Sequence, residues 1–178
     1  MARRAFSTLI ILILIFVIIG VLLVYFSSQQ TTGGNSPQGV TATGAVTHVG
    51  PPTLYPNPTL TPGDALPGVT AAQVCVSGYS TRVRNVTSAE KAEVFHRYNE
   101  PDVAGKYEVD HFISLELGGS NNVTNLWPEP YTPIPGAHQK DTIENYLHAQ
   151  VCKGAMTLAQ AQHAITSDWY AVLLRIGG

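Results

Sequence analysis

The sequence predicts an α+β fold held at a membrane by an N-terminal helix. Three observations carry this reading. An almost unbroken apolar run occupies residues 5–26. A nearly uncharged stretch rich in Thr, Gly, Pro and Ser follows, up to residue 62. Beyond it, short apolar segments bounded by Gly and Pro alternate with helix-period segments opened by capping boxes, which is the pattern of strands and helices mixed in one domain. A chain of 178 residues has room for one domain of ordinary size, here residues 63–178.

The apolar run has the length of about 20 residues that a helix needs to cross the hydrocarbon core. A cleaved signal peptide has a shorter apolar region, roughly 7–15 residues, and a small-residue cleavage site. Tyr25-Phe26-Ser27-Ser28 offers no convincing site, and the alternative, a long signal sequence removed after export, also leaves the domain outside the cytoplasm. Arg3 and Arg4 keep the N-terminus on the cytoplasmic side, so everything after Phe26 is expected outside the cytoplasm in a single-pass cell-membrane protein. Residues 27–62 read as an extracellular linker: they hold too little apolar surface to offset the entropy of ordering. Its first part is expected to be flexible, and its proline-dense second part extended and stiffer. His48 falls within it and is expected to be solvated and inert.

Within the domain, residues 80–86 show partial alternation and suit a strand or extended segment. A helix follows from about Ser88, where Thr87 and Glu90 form a capping box and Pro101 sets the end. Residues 106–114 read as a strand, with a second short strand after the Gly118-Gly119 turn. A helix over residues 137–151 carries Ile143, Tyr146, Leu147 and Val151 on one stripe. The last helix opens at Thr157 with a Gln160 capping box, and Leu158, Ala161, Ile165, Trp169, Val172 and Ile176 recur at helical spacing along it. Trp169 lies on this stripe, so it reads as core rather than as a platform for a base.

Ten Lys and Arg stand against twelve Asp and Glu, a formal net charge of −2, so the overall balance does not advertise nucleic-acid binding. An active site needs only a local basic patch. The two cysteines, Cys75 and Cys152, form no CxxC or CxxH arrangement, which argues against a Cys-ligated zinc site. In an oxidising compartment they are expected to pair, the alternative being two free thiols. The bridge would close a long loop, worth on the order of 4 kcal/mol in the chain-entropy model.

The chemistry-bearing residues cluster from Tyr107 onward. Asp110 and His111 end a short apolar strand, Asn125 opens Asn-Leu-Trp, and His138 starts a helical pattern. Phosphodiester hydrolysis needs a base for water and a cation for the developing charge. A neutral imidazole such as His111 accepts a proton near neutral pH. Asp110 is a hard oxygen ligand suited to Mg²⁺ or Mn²⁺, while the imidazole of His138 also admits Zn²⁺ or Ni²⁺. On a strand, Asp110 and His111 point to opposite faces, so a bend is needed to converge them. Asn125 could orient the His111 ring or bind metal through its carbonyl. Each residue taken alone also suits a surface turn, a loop cap or an exposed helix start, and it is their order and spacing that carry the signal.

Asp110-His111-x-Ile113-x-Leu115-x-Leu117-Gly118-Gly119-Ser120-Asn121, followed by Asn125-Leu126, resembles the HNH endonuclease signature. The resemblance covers about residues 108–147. It implies a ββα-metal core of two antiparallel strands and a helix around one divalent metal ion, with further helices outside it. It further implies Asp110 and His138 as metal ligands, His111 as general base, and Asn125 as the middle Asn of the motif. Lys140, close behind His138, and Arg84 become candidates for contact with substrate phosphates. The sequence departs from the family in the four prolines between Asn125 and His138, in Thr142 standing where a second helical His is common, and in the absence of zinc-binding CxxC pairs. Asp141, one turn after His138, could substitute as a ligand.

The function so implied is metal-dependent hydrolysis of DNA, with little sequence preference because no helix-turn-helix or finger accompanies the motif. RNA or a wall polymer is a related substrate. The rival from another class is a non-catalytic module that uses the same scaffold to hold a metal or a partner outside the cell.

Overall fold

The computed structural model describes residues 48–177. The membrane anchor expected over residues 1–26 and most of the linker lie outside the described residues. The fold is α+β: a two-stranded antiparallel sheet with helices packed on it. Helices α1 (Ala71–Val74), α2 (Tyr79–Val83) and α3 (Ser88–Tyr98) precede strand β1 (Tyr107–His111). Strand β2 (Leu126–Pro130) then pairs with β1, and α4 (Ala137–Cys152) and α5 (Leu158–Ile176) close the chain.

The capping boxes read from the sequence open α3 and α5: Thr87 pairs with Glu90, and Thr157 with Gln160. Residues 80–83 are helical rather than extended, and the chain turns extended only at Arg84. Gly78 adopts a left-handed conformation at the helix start, and Arg82 N–H then donates to the Gly78 carbonyl at 3.1 Å. Among the described residues the sheet contains only β1 and β2, so this segment satisfies its backbone by local helical bonds instead.

The sheet is short. β1 stops at His111 rather than Ser114, because Ser114 caps a 3-10 turn over Leu115–Leu117. Gly119 is needed where the chain turns back: a Cβ there would lie 1.7 Å from the Ile113 carbonyl oxygen. In the resulting register Glu108 faces Glu129, Asp110 faces Trp127 and His111 faces Leu126.

The core forms where Ile143, Leu147 and Val151 of α4 meet Ala161, Ile165, Trp169 and Val172 of α5. Trp169 is fully buried and donates its indole N–H to the Leu54 carbonyl at 2.9 Å. That contact moves the start of the folded unit. Leu54 and Tyr55 are buried in the core, so the domain reaches back beyond the boundary expected near residue 63. The physical reason lies in α5, which breaks at Asp168 (φ −166, ψ 81). The freed Asp168 carboxylate accepts from Tyr55 Oη at 2.5 Å and Val49 N at 2.6 Å while capping Ala171 N at 2.9 Å. His48, expected to be solvated, stacks on Tyr55 with ring centroids 3.6 Å apart.

Cys75 and Cys152 are joined, tying the end of α1 to the end of α4 across 77 positions of sequence. Replacing both by Ser should lower unfolding stability by about 4 kcal/mol. Chemical denaturation of the double variant beside the wild type checks this, and equal midpoints would show that the staple is idle.

Candidate active site around His111

The side chains of β1 alternate, and no bend brings Asp110 and His111 together. Glu108 and Asp110 share one face with Glu129, which is directly across the ladder from Glu108. His111 occupies the other face. The two faces serve different environments.

On the carboxylate face the central group is Lys140. It is fully buried, with Nζ 2.5 Å from Asp110 Oδ2 and 3.7 Å from Glu129 Oε2. The ammonium also donates to the His111 backbone carbonyl at 2.9 Å and to Glu144 one helical turn on. Lys140 therefore does not reach outward to a phosphate. It belongs to the inward stripe of α4, with Ala137, Ile143, Glu144, Leu147 and Val151.

The same geometry sends His138 away. At about 100° per residue, two positions before Lys140 is roughly 200° around the helix. The His138 side chain is 71% exposed, with Nδ1 3.8 Å from Asp141 Oδ2 and its ring 5.0 Å from that of Tyr131. His138 and Asp141 pair with each other, on a different side of α4 from Asp110.

Asn125 is completely buried and all its hydrogen-bonding capacity goes to backbone. Its Oδ1 accepts from Ile113 N at 2.9 Å and Asp64 N at 3.1 Å. Its Nδ2 donates to the carbonyls of Ile113 at 3.0 Å and Ser120 at 2.9 Å. Asn125 thus latches the loop between the strands and has no donor or acceptor to spare for the His111 ring or for a metal. Asn121 holds the ring instead.

Asn121 Nδ2 donates to the Val83 carbonyl at 2.8 Å, which turns Oδ1 toward His111 Nε2 at 3.2 Å and Asn85 N at 3.1 Å. An acceptor facing Nε2 places the ring proton there and leaves Nδ1 as a lone pair. His111 Nδ1 is buried and finds no hydrogen-bond partner among the described residues. Burial holds the His111 pKa below its ordinary value. Asp110 and Asn121 pull it upward, and the positive charges of Arg84 and Lys140 push it down. The ring is neutral at neutral pH. Arg84 is exposed just beyond α2, close enough for its charge to bear on the ring.

One ammonium faces three carboxyls, and the charges resolve accordingly. Burial would raise the Asp110 carboxyl, but the adjacent Lys140 ammonium holds it below its usual range. Burial would lower Lys140, yet the charges of Asp110, Glu144 and Glu129 raise it well above normal. Glu129 and Glu144 are in surplus. Burial pushes Glu129 well up, and the charges of Asp110 and Glu144 add to that, although Lys140 opposes them. The Glu129 oxygens find no hydrogen-bond partner among the described residues. Glu144 is pushed up by burial to about 7, although Lys140 lies against it.

A carboxyl raised in the folded state contributes stability that is complete below its unfolded pKa and lost as pH rises through the folded value. Thermal stability should therefore fall between the ordinary Glu value of 4.5 and about 7. Glu144→Gln should flatten that slope in a pH series of melting curves, whereas an unchanged slope would remove Glu144 as its source. Asp110, lowered from 3.8, acts below this window.

The divalent metal implied on Asp110 and His138 does not fit these residues. His138 faces away, Asn125 is spent on the loop, and a protonated amine holds Asp110. Carboxylate oxygens of Glu108, Asp110 and Glu129 do lie within 4.8 Å of one another, but the Lys140 ammonium is hydrogen-bonded to Asp110 and stands 3.7 Å from Glu129. A second group, His148 beside Cys75 and Cys152, is closed by the disulfide. No protein-family model matches the chain, and no curated protein or solved structure matches it either.

Proposed function

We propose that this chain is an HNH-type phosphodiester hydrolase acting on DNA outside the cytoplasm, with His111 as its general base. The observation that carries the reading is the bare Nδ1 of His111, on a ring pinned at Nε2 by Asn121 and neutral at neutral pH. In the reaction, Nδ1 takes a proton from water as the water oxygen bonds to phosphorus. The bond to the leaving sugar oxygen breaks, and that oxygen takes a proton from the imidazolium or from solvent. The products are a phosphate monoester and a free hydroxyl. Arg84, exposed beside the ring, neutralises the phosphate. A strand-strand-helix order of β1, β2 and α4 around these residues supports the ββα assignment.

The test is plasmid nicking by the full-length chain in mild detergent, with Mg²⁺, Mn²⁺, Zn²⁺, Ni²⁺ or chelator in separate arms. His111→Ala should lower turnover by at least ~100-fold, the size of a general-base contribution. Equal nicking by the variant would remove His111 from the chemistry.

The second reading is a non-catalytic module on the same scaffold. It is favoured by the enclosure of His111, which is 1% exposed, and by the closed ion network beside it. Retention of DNA by the wild type without any cleavage, in every arm of the assay, would select it.

A further inference from the structure

We propose that the Lys140 ammonium is the resident cation of this site, standing in the place a divalent metal takes in the HNH resemblance. The inference rests on the nuclease reading and changes what the site requires: His111 would act without a divalent ion.

Among the described residues the polar partners of the ammonium are all oxygens, the kind of atom a hard cation takes. Asp110 Oδ2 lies at 2.5 Å, the His111 carbonyl at 2.9 Å and Glu129 Oε2 at 3.7 Å, with Glu144 Oε1 completing the set. Carboxylates and a backbone carbonyl are the ligands that Mg²⁺ and Mn²⁺ prefer. One of them is the residue to which the resemblance gives the metal. A second is the backbone of the proposed base. Lys140 also occupies the helix position that faces the hairpin, which His138 does not. A divalent ion added to the same carboxylates would sit against a buried ammonium with no water to screen the repulsion.

Lys140 is fully buried and does not touch substrate, so it acts as a positioning residue. Its bond to the His111 carbonyl holds the end of β1, and with it the ring. Its charge is fixed within the site, and no ion has to be acquired for the site to form.

The experiment uses the full-length chain in mild detergent with two readouts. Plasmid nicking is measured in chelator and in Mn²⁺, and Mn²⁺ binding is followed by electron paramagnetic resonance. Wild-type nicking in chelator at the same rate as in Mn²⁺, with no stoichiometric Mn²⁺ bound, is the expected result. Lys140→Met should lose activity in chelator by on the order of 100-fold. It should recover part of that in Mn²⁺, because the vacated carboxylates then take the metal. A purely structural lysine would not exchange one cation requirement for another. Wild-type nicking that needs metal, or wild-type binding of Mn²⁺ that weakens in Glu129→Gln, would overturn the proposal while leaving the nuclease reading intact. If the Lys140 variant does not fold, the wild-type arms decide alone. If nothing is cleaved in any arm, the nuclease reading fails, and the Mn²⁺ titration still decides whether the ammonium excludes the metal.

Discussion

Lys140→Met should destabilise the domain by about 3–5 kcal/mol, the range for removing one partner of a buried ion pair. The loss comes less from the missing attraction than from what stays behind. Asp110, Glu129 and Glu144 would face one another with no compensating charge, and the His111 carbonyl would lose its donor. The three carboxyls can relieve this only by taking up protons. The deficit relative to wild type should therefore shrink as pH falls from ~7 toward ~5, because protonation removes the charge that burial penalises. Urea unfolding at the two ends of that range tests both statements. Wild-type stability in the variant would mean that the ammonium is not the partner of these carboxyls in solution.

Asn125→Ala should destabilise by roughly 4 kcal/mol or more, placing it among the severe single substitutions. Its amide makes four hydrogen bonds to backbone, and removing it leaves Ile113 N, Ile113 O, Ser120 O and Asp64 N unpaired around a fully buried position. Such groups carry a desolvation penalty of about 1–3 kcal/mol each before the loop relaxes. Asn125→Asp keeps the two acceptor bonds but turns an oxygen toward the Ile113 and Ser120 carbonyls, so it should not rescue. A folded Asn125→Ala that loses only turnover would instead restore Asn125 to the chemistry.

Much of this architecture is legible before any coordinates. Strand, glycine turn, strand and helix follow in order from Tyr107, and the Thr87 and Thr157 capping boxes mark true helix starts. The pairing of Cys75 with Cys152 is legible because the sequence holds two cysteines and is expected to lie in an oxidising compartment. Lys140 was the misleading residue, since a lysine in the first turn of a polar helix suggests a solvated charge. The signal against that was available: the stripe Ile143, Leu147 and Val151, traced back by helical spacing, passes through Lys140 and misses His138.

That Asn121, and not Asn125, meets the His111 ring is not legible in the sequence. Both lie in one turn, and which amide reaches the ring depends on a loop path set by Gly119 and two 3-10 turns. The early start of the folded unit was hidden for a related reason. Leu54 and Tyr55 are isolated apolar residues among prolines, and only the break at Asp168 and the wall formed by Trp169 give them somewhere to pack.

His111 holds an unpaired, neutral Nδ1, and NMR of the imidazole nitrogens in the full-length chain is the decisive measurement. The ring should titrate below the ordinary histidine value of 6.5 and carry its proton on Nε2 throughout the neutral range. In Asn121→Ala that tautomer preference should weaken. An imidazolium at neutral pH, or a wild-type ring protonated on Nδ1, would remove His111 as the base, because neither leaves a lone pair on Nδ1.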